Sequence, residues 1–208
     1  MDEFCLKIKM ALSNRENKTV KDTKILDSKN RFINNVDKAN YKLAAVLFPI
    51  IKTNDNYEVI LTTRSEDVLS HPGQVCFPGG RLDSNDKNMI DCAKREAFEE
   101  VGIKPNQLEI LGELDNCITG TNYSITPIMG LIMGEFVPKI QEKEVANLFR
   151  VPINFFLQNS NKKLKKATYK NKNYSYYEYN WKEKKIWGST ARIIVNFCDI
   201  MNNVKLSS

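Results

Sequence analysis

The chain has 208 residues, 42% apolar and 27% charged, and its 31 Lys and Arg against 25 Asp and Glu leave a net charge of +6. That size and balance fit one globular domain and exclude a collagen-like, mucin-like or wholly disordered chain. No apolar run approaches the roughly 18–20 residues needed to span a bilayer, so no membrane partner is expected.

Residues 1–12 read as a short amphipathic helix, and 13–40, dominated by Asn, Lys and Asp, as a loosely structured arm. The expected organisation is therefore an N-terminal arm over 1–40 and a domain over 41–208. The start is too acidic and too weakly apolar for a secretory or transit peptide, and the final Lys-Leu-Ser-Ser is not a peroxisomal address. A cytoplasmic location is expected, with an organelle matrix as the alternative.

The run Leu43-Ala-Ala-Val-Leu-Phe-Pro-Ile-Ile51 fits a buried strand within 41–53. Asn54-Asp-Asn56 signals a turn, and 57–63 is a second strand, so the two form a hairpin. Residues 64–86 carry Pro72, Gly73, Pro78, Gly79 and Gly80 and read as a shaped loop. A helical pattern covers 87–101 and stops at Gly102, where a left-handed C-terminal glycine belongs. Strands follow at 107–114 and 124–136. Residues 144–156 read as helical, then irregular at Pro152, with Glu144 favouring the helix start through its dipole. The chain closes with a helix over about 189–201.

The charge excess is local. Residues 161–186 hold nine lysines and two glutamates, a net of +7, so the rest sums to −1. Tyr169, Tyr174, Tyr176, Tyr177, Tyr179 and Trp181 interleave with those lysines. One reading is a hairpin with aromatics on one face and solvated lysines on the other. A second is contact with RNA or single-stranded DNA through phosphates and stacking. A third is an electrostatic funnel for a small polyphosphate, which is compatible with the hairpin.

The five cysteines, Cys5, Cys76, Cys92, Cys117 and Cys198, are odd in number and form no Cys-x-x-Cys pair, so they read as structural thiols. His71 is the single histidine. Any zinc site, catalytic triad or Cys-His pair would have to use it.

The most informative stretch is Arg95-Glu-Ala-Phe-Glu-Glu-Val-Gly-Ile103. On a helix, Ala93, Ala97 and Val101 fall within about 60° of Ile90 and make an apolar stripe. Glu99, Glu96 and Glu100 share an arc of about 100° away from it. Such a cluster repels itself unless a cation is present, and hard divalent ions take oxygen ligands. The alternative is a solvated acidic face with Arg95 paired to Glu99. The loop upstream, Phe77-Pro-Gly-Gly80 with Asp83 and Asp86, can bring a ligand to the front of this helix. Neither a P-loop nor a Gly-x-Gly-x-x-Gly fingerprint occurs.

These residues resemble the Nudix box: Gly, five residues, Glu, seven residues, then Arg-Glu-apolar-x-Glu-Glu-x-Gly-apolar. Arg95 to Ile103 matches at every defined position. Gly80 lies one residue further upstream than the general box requires, and Asp86 stands near the first Glu. This lengthened form is similar to the coenzyme A pyrophosphatase subgroup, whose box begins Gly-Gly-x-x-Asp-x-x-Asp. The subgroup's upstream motif is matched by Leu61-Thr-Thr-Arg-Ser-Glu-Asp-Val-Leu-Ser-His-Pro-Gly-Gln-Val-Cys-Phe-Pro-Gly-Gly80, with Ser70 where an Arg is usual. The resemblance covers about 41–200.

The resemblance implies a Nudix-type α/β/α sandwich with a mixed β-sheet. It implies hydrolysis of the diphosphate bond of coenzyme A or its derivatives, giving 4′-phosphopantetheine and adenosine 3′,5′-bisphosphate. Mg²⁺ or Mn²⁺ is the implied cofactor, with Glu96 and Glu100 as ligands and Glu99 as a third ligand or the base. Arg95 orients a glutamate. Arg64, His71, Gln74, Gly79 and Gly80 are implied on the substrate side. His71 has three readings: substrate contact, a loop-holding hydrogen bond, or an acid/base group. Glu142 or Glu144 is a candidate extra base. Two alternatives stand beside this: a Nudix enzyme for another substrate (ADP-ribose, NADH, a nucleoside triphosphate or an RNA cap), and an RNA-binding protein on a Nudix scaffold. Nucleic acid is the least expected partner, because all three box glutamates are present.

Overall fold

The computed structural model describes residues 2–13, 41–54, 56–68, 70–169 and 172–203. The arm expected beyond Ser13, up to residue 40, lies outside the described residues.

Strand β1 (Lys42–Thr53) is the centre of the molecule. Its alternation divides the core. Ala45, Leu47 and Ile51 enter one buried cluster, and Phe48 and Ile50 enter another on the opposite face. Asn54, at φ 53°, turns the chain into β2 (Asn56–Arg64), which pairs antiparallel with the second half of β1. The first half of β1 pairs instead with a short strand β4 (Gly79–Arg81), after β3 (Val75–Cys76) has added to β2. On its other side β1 runs parallel to β7 (Tyr123–Ile132), from Lys42↔Tyr123 to Ile51↔Ile132. Strand β5 (Leu108–Glu113) and the two-residue β6 (Cys117–Ile118) pair antiparallel with β7.

Among the described residues, four α-helices complete the layers. Helix α2 (Met89–Val101) covers one face of the sheet, with Ala93, Ala97 and Val101 buried alongside Leu47, Ile60 and Ile128. The side chain of Asn88 caps its N-terminus by accepting from Asp91 N–H at 2.9 Å, and Gly102 ends it at φ 77°. On the other face lie α1 (Glu3–Ser13), the short α3 (Ile153–Leu157) and α4 (Gly188–Asn203), packed around Phe48, Leu61 and Met129. The result is an α/β/α sandwich on a mixed sheet, as the resemblance implies.

One element differs in kind from expectation. Residues 145–152 form strand β8 (Val145–Pro152), antiparallel to β2 with Val59↔Val151 and Leu61↔Phe149, and only Ile153–Leu157 is helical. The apolar spacing of Val145, Leu148 and Val151 suits a helix locally. Pairing with the open side of β2 decides otherwise, because a strand there satisfies both backbones and buries Val145 and Val151. Glu144 thus precedes a strand, not a helix, and its carbonyl accepts from Ser65 N–H at 2.9 Å.

The lysine-rich segment forms a separate antiparallel sheet of β9 (Lys163–Tyr169), β10 (Lys172–Trp181) and β11 (Lys184–Trp187). Tyr177, Tyr179, Trp181 and Ile186 turn inward to the core of α3 and α4. The aromatics do not all share that face. Tyr176 and Trp187 alternate to the outer side, rings edge to face at 5.7 Å, beside the Lys185–Glu178 ion pair. The side chains of Tyr169 and Tyr174 lie outside the described set.

Candidate active site

The acidic helix and the glycine loop meet because β4 pairs with β1 directly beside α2. Register Ala45↔Gly80 and Val46↔Gly79 presses both glycines against neighbours. A Cβ on Gly79 would collide with the backbone of Ala45 and Val46, and one on Gly80 would collide with the Glu96 carboxylate. Gly79 has no room for a side chain, and one at Gly80 would displace the Glu96 carboxylate. The N–H of Gly79 donates to Glu100 Oε2 at 3.1 Å, so the loop and the helix hold each other.

Glu100 is not on a solvated arc with its neighbours: it is 4% exposed. The β4 loop wraps that flank of α2 and covers it. Burial pushes the Glu100 carboxyl up to about 8, the Gly79 N–H partly opposing and the charges of Glu96 and Glu144 adding to the rise. Burial also raises Glu96, against the pull of Arg95. Glu99 stays half exposed.

Arg95 organises the cluster. Its Nε and Nη2 donate to the two oxygens of Asp86 at 3.0 and 2.8 Å. Nη1 donates to Glu96 at 2.9 Å and Glu99 at 3.1 Å, and Nη2 also reaches the Arg81 carbonyl at 3.1 Å. This bidentate grip holds the Asp86 carboxyl down at about 2. Sequence reasoning placed Asp86 near the box without assigning it a role. Its grip on Arg95 has no signal in the sequence beyond its place near the first Glu of the box.

Arg64 stands on the same side of the sheet, its charge pulling the Glu100 carboxyl down. It also ties the loop after β2. Its Nε donates to the Ser70 carbonyl at 3.0 Å, its N–H to the Gln74 carbonyl at 2.9 Å, and its carbonyl accepts from Gly73 N–H at 3.2 Å. His71 sits exposed at the tip, at φ 57°, with its carbonyl accepting from Gln74 N–H at 3.3 Å. Among the described residues its ring makes no hydrogen bond, so the loop is held by backbone, not by the imidazole. Leu69 lies outside the described residues.

Arg64, Gly79, Gly80, Arg95, Glu96, Glu99 and Glu100 therefore converge, with His71 and Gln74 on the loop that Arg64 ties down. Cys92, at the edge of the acidic arc, is buried with its thiol 3.3 Å from the Arg81 carbonyl, and burial raises it to about 11. It is a packing residue, as expected for these cysteines.

Among the described residues no three Asp, Glu, His or Cys side chains stand together as an ion cage. Arg95 occupies Glu96 and Glu99, and Gly79 engages Glu100. The donor set nonetheless suits a hard divalent cation: it is all oxygen, and Glu100 is buried and Glu96 partly so, at a cost that a cation would remove.

Comparison with known proteins bears on this arrangement. The family model described as the NUDIX domain matches residues 43–166. The chain is 35% identical over 158 residues to a protein from Enterobacter sp. (strain 638) named "Uncharacterized Nudix hydrolase NudL", covering 76% of this chain and 82% of that one. It is 38% identical over 155 residues to the protein of the same name from Photorhabdus laumondii, covering 74% and 82%. In architecture it is similar to the crystal structure of a MutT/nudix family protein from Enterococcus faecalis, with a TM-score of 0.50, 13% identity, and coverage of 81% of this chain and 65% of that one. Among the described residues no helix is long and apolar enough to cross a membrane.

Proposed function

The chain belongs to the Nudix family of hydrolases acting on pyrophosphate bonds, and from that premise we propose that its substrate is coenzyme A or a derivative, cleaved at the diphosphate with Mg²⁺ or Mn²⁺ to 4′-phosphopantetheine and adenosine 3′,5′-bisphosphate. Members of this family generally need a divalent metal ion. The observation that carries the finer reading is the continuity of Leu61–Gly80 with the acidic helix. The upstream motif is one folded piece: Arg64 ties the loop to β2, β3 returns it to the sheet, and Gly79 hands it to Glu100.

In this reading Glu96 and Glu100 hold the metal and Glu99 is a third ligand or the base. The ion would supply positive charge to the diphosphate and acidify the attacking water. Arg95, engaged with three carboxylates, positions the glutamates. Arg64 supplies positive charge beside the cluster. His71 and Gln74 face the substrate from the loop, and the missing side chains at Gly79 and Gly80 let β4 lie flush against β1 and Glu96.

The test is hydrolysis of coenzyme A by the purified chain with each metal, products resolved by chromatography. Equal amounts of phosphopantetheine and adenosine bisphosphate, with rates about 100-fold or more lower in Glu100→Gln, are expected. Failure to cleave coenzyme A, acyl-coenzyme A and oxidised coenzyme A, while another nucleoside diphosphate is cleaved, would reject it. A second reading, a different nucleoside diphosphate derivative, is favoured by Ser70: the usual Arg is missing, and the Ser70 carbonyl already takes one Arg64 N–H.

A further inference from the structure

Strand β4 is three residues long and, among the described residues, is laddered to β1 alone. On one face Gly80 packs against Glu96. The next residue, Arg81, alternates to the other face. There its guanidinium carbon lies 5.3 Å from the centre of the Tyr123 ring, and Lys42 Nζ lies 5.9 Å from the centre of the same ring. The register explains the meeting: Arg81 is opposite Ala44 and Tyr123 is opposite Lys42, so the three side chains gather at the start of β1.

Both cations are exposed, and among the described residues neither has a carboxylate partner. This sets them apart from Arg95, which is saturated, and from Lys185, Lys52 and Lys9, which pair with acids. Two like charges sharing one ring repel each other, and an anion between them would offset that. The ring fixes where the charges sit while leaving the N–H edges free, which suits the forked recognition of phosphate.

We propose that Arg81, Lys42 and Tyr123 form a second anion site that takes a phosphomonoester of the substrate other than the diphosphate being cleaved. The site rests on the coenzyme A reading, because that substrate carries such a group on its ribose. It makes Arg81 a double wall: its carbonyl braces Arg95 behind the acidic cluster, and its side chain holds the remote phosphate on the far face. A substrate lying over β4 would engage both at once and be placed in register for cleavage.

The experiment separates this site from the reading it rests on by measuring binding without turnover. Calorimetry compares adenosine 3′,5′-bisphosphate with adenosine 5′-monophosphate on the full chain, in wild type, Arg81→Gln, Arg81→Lys and Lys42→Gln. Wild type should prefer the bisphosphate by about tenfold or more, as a charge-assisted phosphate contact provides. That preference should fall to about one in Arg81→Gln and fall partly in both Lys42→Gln and Arg81→Lys, since a lysine keeps the charge but not the fork. The same ratio read in turnover, coenzyme A against its analogue lacking the ribose phosphate, should shift through KM. Equal wild-type affinity for the two nucleotides, or a preference that survives Arg81→Gln, overturns the site even if coenzyme A is cleaved. A preference that depends on Arg81 in a protein that does not cleave coenzyme A upholds the site and rejects the reading.

Discussion

Glu100 shows how a single side chain couples the site to the fold. Its carboxyl is buried beside Gly79 and pushed up to about 8, above its ordinary 4.5. A raised acid favours the folded protein fully below the ordinary value and loses that contribution as pH rises through the folded one. Without metal, the melting temperature should therefore decline between about pH 4.5 and 8, and Glu100→Gln should flatten the decline. Adding Mg²⁺ at pH 8 should raise the wild-type melting temperature and leave the variant unmoved. An unchanged pH slope in Glu100→Gln would reject this account. Asp86 has the opposite sign: Arg95 holds its carboxyl down at about 2, so its contribution is present above the ordinary 3.8 and is lost as pH falls toward 2. The glutamates were legible in the sequence because their spacing places them on one side of a helix. The burial of Glu100 was not, because it comes from β4 and the 139–144 segment packing against α2.

At the level of elements, α1 carries more weight than its short amphipathic pattern suggests. Cys5, Ile8, Ala11 and Leu12 are buried in the same cluster as Phe48 and Met129, and Leu12 lies where a Cβ on Gly112 would intrude. The Cys5 thiol donates to the Tyr57 hydroxyl at 3.3 Å, and Lys9 pairs with Glu109 at 2.7 Å. Ile8→Ala should cost about 2–5 kcal/mol in denaturant unfolding, the range for a buried aliphatic truncation. A loss under 1 kcal/mol would mean that α1 is only loosely docked. Strand β8 teaches the converse. Its local spacing fits a helix, and a partner strand outside its own sequence window overrode it. The outer pair Tyr176 and Trp187 escaped the one-face pattern for a related reason: β10 and β11 are apolar on one side and still carry aromatics on the other.

Across the whole molecule the charge is divided. The acidic cluster lies on the α2 face, while the +7 excess of residues 161–186 lies largely on the separate three-stranded sheet. Under the proposed function, an anionic substrate would be drawn by the long-range field of that sheet and held at the cluster through a cation. kcat/KM should therefore fall as ionic strength rises while kcat holds nearly constant, and replacing Lys163, Lys165 and Lys166 by Gln should reduce that salt dependence. A salt-independent kcat/KM would remove the funnel. Strong RNA binding at physiological salt, read by filter binding, would instead assign the sheet to nucleic acid.

The α/β class, the hairpin of 41–53 with 57–63, the acidic helix with its glycine stop, and the family were all legible before the fold was seen. All of these are written in local periodicity and in motifs whose residues lie within one or two elements. That 145–152 is a strand, that Glu100 is buried, that Arg95 is shared among Asp86, Glu96 and Glu99, and that Arg81 and Lys42 meet on Tyr123 came from long-range packing. Each of these depends on which distant strand lies alongside, and that follows from the free energy of pairing and burial summed over the whole sheet, which no single window of sequence contains.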